Sequence, residues 1–193
     1  YGARSLLNLY KTHVLSFLES GTPALYHAAK THLALLDHVQ EVFLRDIGVP
    51  TEAALLDFNL APLNTRRDIA MLGLLHRTTL QKGPPHFRQW FFPAPPRVRN
   101  TAATRLSTSR HNKQLWDPLD GSRRRTLFGR SAFGRIRVYN LLPRAVVNAP
   151  SVKLFQHRLQ ENVKNLLRTG DDNWSYAFAR TGMGRFTLDW AFL

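Results

Sequence analysis

Apolar residues recur at three- and four-residue steps through Leu6, Leu9, Tyr10, Val14, Phe17 and Leu18. This spacing predicts a helix over residues 3–19, broken by Gly21 and Pro23. A second helix is predicted over 23–47, with Leu25, Leu36, Val39, Phe43 and Ile47 on its apolar face and Lys30, Asp37, Glu41 and Arg45 on its polar face. Gly48 and Pro50 stop it, and Thr51 reads as the N-cap of a short helix ending at Phe58. Pro62, a favoured first-turn residue, opens a further helix through Leu63, Ile69, Leu72 and Leu75, which Gly83-Pro84-Pro85 ends. Short loops between these segments favour a bundle of antiparallel neighbours.

From Pro84 the period is lost. Residues 84–130 hold six prolines with scattered Arg, Ser and Thr, the composition of an extended connector. Within it, Trp90-Phe91-Phe92 reads as an anchor packed on the bundle, with stacking on an unpaired base as the alternative. A short helix is predicted from Ser131 to Asn140. A longer one follows from an N-cap at Ser151, with Val152, Phe155, Leu159, Val163 and Leu166 on one stripe and Gly170 at its C-terminal cap. Trp174, Tyr176, Phe178, Phe186, Trp190 and Phe192 make the last segment too aromatic for a solvated end. The expected fold class is mainly α: a thumb-like helical bundle over 1–83, a basic connector over 84–130, and C-terminal helices with an aromatic tail over 131–193.

Composition changes this picture through charge. The 193 residues include 27 Lys+Arg and 13 Asp+Glu, a formal net charge of +14. Residues 1–80 hold seven of each sign, so residues 81–193 carry the whole excess. A neutral first half and a basic second half point to a polyanion, and a basic cluster of this density is the usual footprint of nucleic acid. The length suits one domain or one and a half. Zero cysteine excludes disulfides, thiol catalysis and Cys-ligated zinc. The longest apolar run, Ile69 to Leu75, is far short of the ~20 residues that span a bilayer, so no membrane partner is expected. No secretion signal opens the chain, and the first residue, Tyr1, suggests a piece of a longer intracellular polypeptide, nuclear or cytoplasmic.

The arginines carry the candidate chemistry. Arg97, Arg99, Arg105, Arg110, Arg123, Arg124, Arg125, Arg130, Arg135 and Arg137 repeat a guanidinium fork that matches phosphate bidentately, and they are the expected phosphate contacts. Other constellations read as structural. Asp171-Asp172, the only adjacent carboxylate pair, follows a helix-ending glycine in a polar linker. His13, His27, His32, His38, His76, His86, His111 and His157 lack the i, i+4 spacing of helical zinc sites and read as surface or cap residues. No nucleophile elbow or phosphate-cradling glycine loop is present, so no autonomous catalysis and no small-molecule substrate are expected.

Several segments, taken in order, resemble the reverse transcriptases of non-LTR (LINE-type) retrotransposons. Tyr10-Lys11 and Leu18-Glu19-Ser20-Gly21-Thr22-Pro23-Ala24 are similar to that family's Y-K and L-E-Y-G-x-P-A. Leu36-Asp37-His38-Val39-Gln40-Glu41-Val42-Phe43-Leu44-Arg45, followed by Ile47-Gly48, resembles the helix after its palm. Leu60-Ala61-Pro62-Leu63-Asn64-Thr65-Arg66-Arg67 resembles L-x-P-L-x-x-R-R. Arg130-Ser131-Ala132-Phe133, Tyr139-Asn140-Leu141-Leu142-Pro143 and Phe155-Gln156-His157-Arg158-Leu159 resemble R-S-F, W-N-x-L-P and F-K-x-x-L. Ser20, Tyr139, the inserted Ala132 and Gln156 depart from the pattern. The resemblance implies the thumb and post-thumb region of an RNA-directed DNA polymerase, gripping template–primer RNA and DNA. It also implies that the catalytic carboxylates and their Mg2+ belong to a palm outside this chain, with the palm and fingers of the same polypeptide as partners. The alternatives are a stand-alone basic nucleic-acid-binding module and a helical scaffold for other proteins.

Overall fold

The computed structural model describes residues 2–95, 111–123, 128–129 and 131–179, and these are mainly helical. They divide into two compact units, one built from residues 2–71 with 160–179 and the other from the described part of 72–159. Both divisions fall inside helices rather than near residues 83 and 130, where composition shifts. Compactness follows long-range packing, which a change of local composition does not reveal.

In the first unit, α1 (Ala3–Leu9) passes through a π-helical stretch, Tyr10–Leu15, into α2 (Ser16–Ser20). The hydroxyls of Thr12 and Ser16 donate to the carbonyls of Asn8 and Thr12, four residues back, at 2.8 and 2.6 Å. Those bonds occupy acceptors that an α-helical amide would otherwise use. After α3 (Thr22–Leu25), non-helical residues 26–29 separate it from α4 (Lys30–Asp46). The continuous helix expected over 23–47 is therefore interrupted. Tyr26 is buried and its hydroxyl donates to Asp68 Oδ1 at 2.5 Å, a tertiary anchor that overrides the helical propensity of Ala28 and Ala29.

Gly48 ends α4 at φ 68°, with Val49 N–H donating to Leu44 O and Gly48 N–H to Arg45 O. This paired arrangement satisfies the last carbonyls and needs a residue that tolerates the left-handed region. α5 (Thr51–Phe58) has Pro50, not Thr51, at its N-cap, and Asn59 closes it at φ 55°. Leu7, Tyr10, Leu15, Leu44, Ala54, Leu60 and Leu63 form the core, with Tyr10 stacked on Phe43 at 4.3 Å. The C-terminal 3-10 turn Trp174–Tyr176 joins this unit: Thr65 Oγ1 donates to Ser175 O at 2.7 Å, and Trp174 and Phe178 are buried. The expected burial of the aromatic tail holds for these two but not for Tyr176, which is 62% exposed; Phe186, Trp190 and Phe192 lie outside the described residues.

α6 (Leu63–Thr79) and α9 (Val152–Arg168) each contribute a segment to both units. Gln81, at φ 61°, ends α6 with Lys82 N–H bonded to Arg77 O, before the expected stop at Gly83. Ser151 caps α9 as expected, its Oγ accepting from Leu154 N–H at 3.2 Å, and Gly170 closes it at φ 77°. Between them, the second unit holds α7 (Ala132–Leu141) and α8 (Arg144–Val147). Its core contains Leu72, Leu75, Ile136, Tyr139, Leu142, Val146, Phe155 and Leu159. The Trp90-Phe91-Phe92 knot anchors within this unit: only Phe91 is buried, stacked on Phe133 of α7 at 5.1 Å.

Gly134 makes the tightest backbone approach. A Cβ built there would sit 2.1 Å from Gly129 O and 2.7 Å from Gly129 C, neither of which can rotate away. Gly134→Ala is expected to cost about 2 kcal/mol of stability by forcing α7 away from this backbone. Gly2→Ala, with open space around it, should be nearly neutral. Urea unfolding of both variants checks this, and equal midpoints would show that the close approach does not constrain α7.

Candidate nucleic-acid interface

Charge follows the structural division. By sequence, residues 1–71 and 160–188 contain ten Lys/Arg and ten Asp/Glu, whereas 72–159 and 189–193 contain seventeen and three. Counted by sequence, the whole excess of +14 therefore falls in the second set of residues, and the described part of 72–159 holds ten Lys/Arg against two Asp/Glu.

The two units also treat their cations differently. Where both partners are described, every ion pair lies in the first unit: Arg66–Glu19 at 2.5 Å, Arg67–Asp37 at 2.7 Å, Lys164–Glu161 at 2.7 Å, Arg45–Asp46 and His38–Glu41. In the second unit, four of the ten described cations donate to backbone carbonyls. Arg77 Nε donates to Lys82 O at 2.9 Å, Arg88 to Gln81 O at 2.8 Å, Lys113 to Val147 O at 3.1 Å, and Arg158 to Ala145 O. A carbonyl fixes the side chain's position without cancelling its charge. A phosphate binder needs this combination, because an internal carboxylate would compete with the ligand. Arg144 and Lys153 are exposed at the N-terminal ends of α8 and α9.

Of the ten arginines expected to meet phosphate, the structure describes three. Arg123 and Arg137 are exposed, the first in the turn after Gly121 and the second on α7. Arg135 is a correction. It is 0% exposed, among the largest fully buried side chains of the chain, so its guanidinium is not presented to a polymer. Ala132, Arg135, Ile136 and Tyr139 fall at helical spacing, and Arg135, Ile136 and Tyr139 form the buried stripe of α7. Arg97, Arg99, Arg105, Arg110, Arg124, Arg125 and Arg130 lie outside the described residues. Of the carbonyl-pinned cations, Arg77, Arg88 and Arg158 sit outside the densest arginine run, and Lys113 lies within it but lacks the guanidinium fork that defined the candidates. Counting charge over the whole of 72–159 is the signal that finds them.

Two histidines expected at the surface are instead interior. His76 is fully buried, its ring stacked on Phe155 at 4.2 Å; Nδ1 lies 3.1 Å from Tyr139 Oη and Nε2 lies 3.0 Å from Ala149 O. Because Ala149 O can only accept, Nε2 carries the proton and Nδ1 accepts from the Tyr139 hydroxyl. Thr79 Oγ1 joins the same hydroxyl at 3.1 Å. His111 Nε2 meets Tyr139 O at 3.1 Å, while its Nδ1 accepts from Lys113 N–H. Burial pushes His76 down to about 4, with nearby Lys113 and His111 acting in the same direction, and burial also lowers His111. Tyr139 is pushed up to about 12 by burial. All three groups are therefore neutral at pH 7 and hold α6, α7 and the segment before α9 together. Their neutrality leaves the surface cations to set the field of this unit.

Asp171 and Asp172 are exposed, and Asp171 Oδ1 accepts from Asn173 N–H at 2.8 Å in the turn that closes α9. Among the described residues, no three His, Asp or Glu side chains converge as a metal site would require. No described helix is long and apolar enough to cross a bilayer. No protein-family description, curated protein or solved structure matches the chain.

Proposed function

We propose that this chain is a non-catalytic, nucleic-acid-gripping part of a non-LTR retrotransposon reverse transcriptase, corresponding to its thumb and the region beyond. The observation that carries the binding part is the concentration of positive charge in one compact unit, whose described residues hold ten Lys/Arg against two Asp/Glu and in which Arg77, Arg88 and Lys113 donate to neutral carbonyls. A grip on a translocating duplex must ignore sequence, so it relies on phosphates and shape.

The thumb assignment draws support from where the resembling segments meet. Glu19 pairs with Arg66 and Asp37 with Arg67, Gln40 Nε2 donates to Ala61 O at 3.1 Å, and Lys11 Nζ donates to Phe58 O. Thus the Y-K, L-E-S-G and L-D-H-V-Q segments converge on the stretch from α5 to α6 as one structural unit. Leu9, Val14 and Phe17 of the α1–α2 stretch, the last 77% exposed, leave apolar surface that suits a covering palm of the same polypeptide.

Binding of an RNA–DNA hybrid by the full chain, titrated against salt, tests the proposal. Affinity should fall linearly on a log–log plot, and Arg123→Gln or Arg144→Gln should each reduce the slope by about one, uniformly across hybrid sequences. Lys30→Gln, in the neutral unit, should leave it unchanged. A flat salt dependence, or equal sensitivity at Lys30, would refute the assignment of the grip to the second unit.

A further inference from the structure

Phe92 and Trp116 form a stacked aromatic pair, with centroids 5.1 Å apart and planes 13° from parallel, yet they remain 40% and 42% exposed. Their placement follows from a short antiparallel pairing at Pro93 and Leu115. Ala94 N–H donates to Gln114 O at 2.8 Å and Trp116 N–H to Phe92 O at 3.0 Å, so residues 92 and 116 stand opposite each other. Side chains alternate across an extended pair, and Leu115, between Gln114 and Trp116, is buried. The register that sends Leu115 inward therefore sends Phe92 and Trp116 outward.

The support beneath the pair is rigid. Asn140 at the end of α7 clasps Leu115 from both sides, its Oδ1 accepting from Leu115 N–H at 2.9 Å and its Nδ2 donating to Leu115 O at 2.7 Å. Gln114 Nε2 adds a bond to Asn140 O at 3.2 Å. A cross-strand aromatic pair stabilises a hairpin modestly, but a two-residue pairing already clasped by α7 does not depend on two large exposed rings.

We propose that the Phe92–Trp116 pair is a stacking platform for unpaired bases of single-stranded nucleic acid. The inference rests on the nucleic-acid reading above and narrows its ligand. The unit that carries the platform holds ten Lys/Arg against two Asp/Glu among its described residues, so it recruits a polyanion. A polyanion that also stacks on aromatic rings is a nucleic acid with accessible base faces. In a duplex those faces are already occupied by neighbouring base pairs, so a single strand is the form that benefits. The nearest carboxylate in sequence, Asp117, accepts from Leu119 N–H at 2.9 Å in the following turn. The preorganised backbone lowers the ordering cost of binding.

Fluorescence anisotropy of dye-labelled single-stranded RNA and of an RNA–DNA hybrid, with the full-length chain, tests the platform. Trp116→Leu should weaken single-strand binding about tenfold and leave hybrid binding and its salt slope unchanged. Trp116→Phe, which keeps a ring, should restore most of the affinity. Phe92→Leu should repeat the Trp116→Leu result from the other side of the stack, which separates stacking from a folding defect at one position. Equal losses for both ligands, or undiminished single-strand binding in both Leu variants, would overturn the platform while leaving the electrostatic grip intact. Absence of salt-dependent binding by the unaltered chain would overturn both.

Discussion

Acidifying the chain from about pH 7 to about pH 4.5 is expected to remove about 3 kcal/mol of folding stability, chiefly through His76. The folded ring stays neutral down to about 4, whereas in the unfolded chain it protonates near its ordinary value of 6.5. Between those values the unfolded chain binds the additional proton, so falling pH favours unfolding. The stabilisation is complete above 6.5 and is lost as the pH falls toward 4. His111, lowered by the same burial, adds to the effect. The partners of His76 are Tyr139, Ala149 O and the face of Phe155. Urea midpoints measured between about pH 7 and about pH 5 isolate the histidines, because carboxylates titrate lower. His76→Gln should be less stable at neutral pH but distinctly less sensitive to acid across that window. A midpoint flat from about pH 7 to about pH 5, or unchanged sensitivity in His76→Gln, would contradict a neutral buried ring.

The elements legible in the sequence are those governed by local rules. Gly48 and Gly170 announce helix ends because the left-handed residue of such a cap favours glycine, and Ser151 announces a start because its hydroxyl accepts an otherwise unpaired amide. Gln81 closes α6 in the same geometry and carries no comparable signal. The break at Tyr26 was not legible, since its cause is Asp68, 42 residues away. Charge density located the basic region but could not distinguish a cation facing solvent from one facing the core. Arg135 shows the remedy: hydrophobic periodicity through Ile136 and Tyr139 places it inside before its charge places it outside. His76 follows Leu72 and Leu75 along the buried stripe of α6 and was legible by the same rule. His111 was not, because no periodicity surrounds it. The Phe92–Trp116 platform depends on pairing across an arginine-rich segment, a non-local feature that neither residue signals alone.

Removing the Arg67 guanidinium should strongly destabilise the first unit. Its Nη2 lies 2.7 Å from Asp37 Oδ1 and 2.9 Å from Oδ2, tying α6 to α4, with only 7% of the Arg67 side chain and 26% of the Asp37 side chain exposed. Burial pushes the Asp37 carboxyl above its ordinary range even against the opposing pull of Arg67, so the guanidinium only partly offsets the cost of burying this carboxylate. Arg67→Ala strands a partly buried carboxylate and should cost about 3 kcal/mol in urea unfolding. The double change Arg67→Met with Asp37→Leu removes both charges while keeping apolar volume, and should recover most of that loss. The deficit of Arg67→Ala relative to the unaltered chain should also narrow as the pH falls, since a protonated Asp37 no longer requires a guanidinium. A double variant no more stable than Arg67→Ala would mean that the arginine contributes by packing its stem rather than by charge. An undiminished deficit in acid would say the same of Asp37, and the contact between these two resembling segments would then be steric rather than ionic.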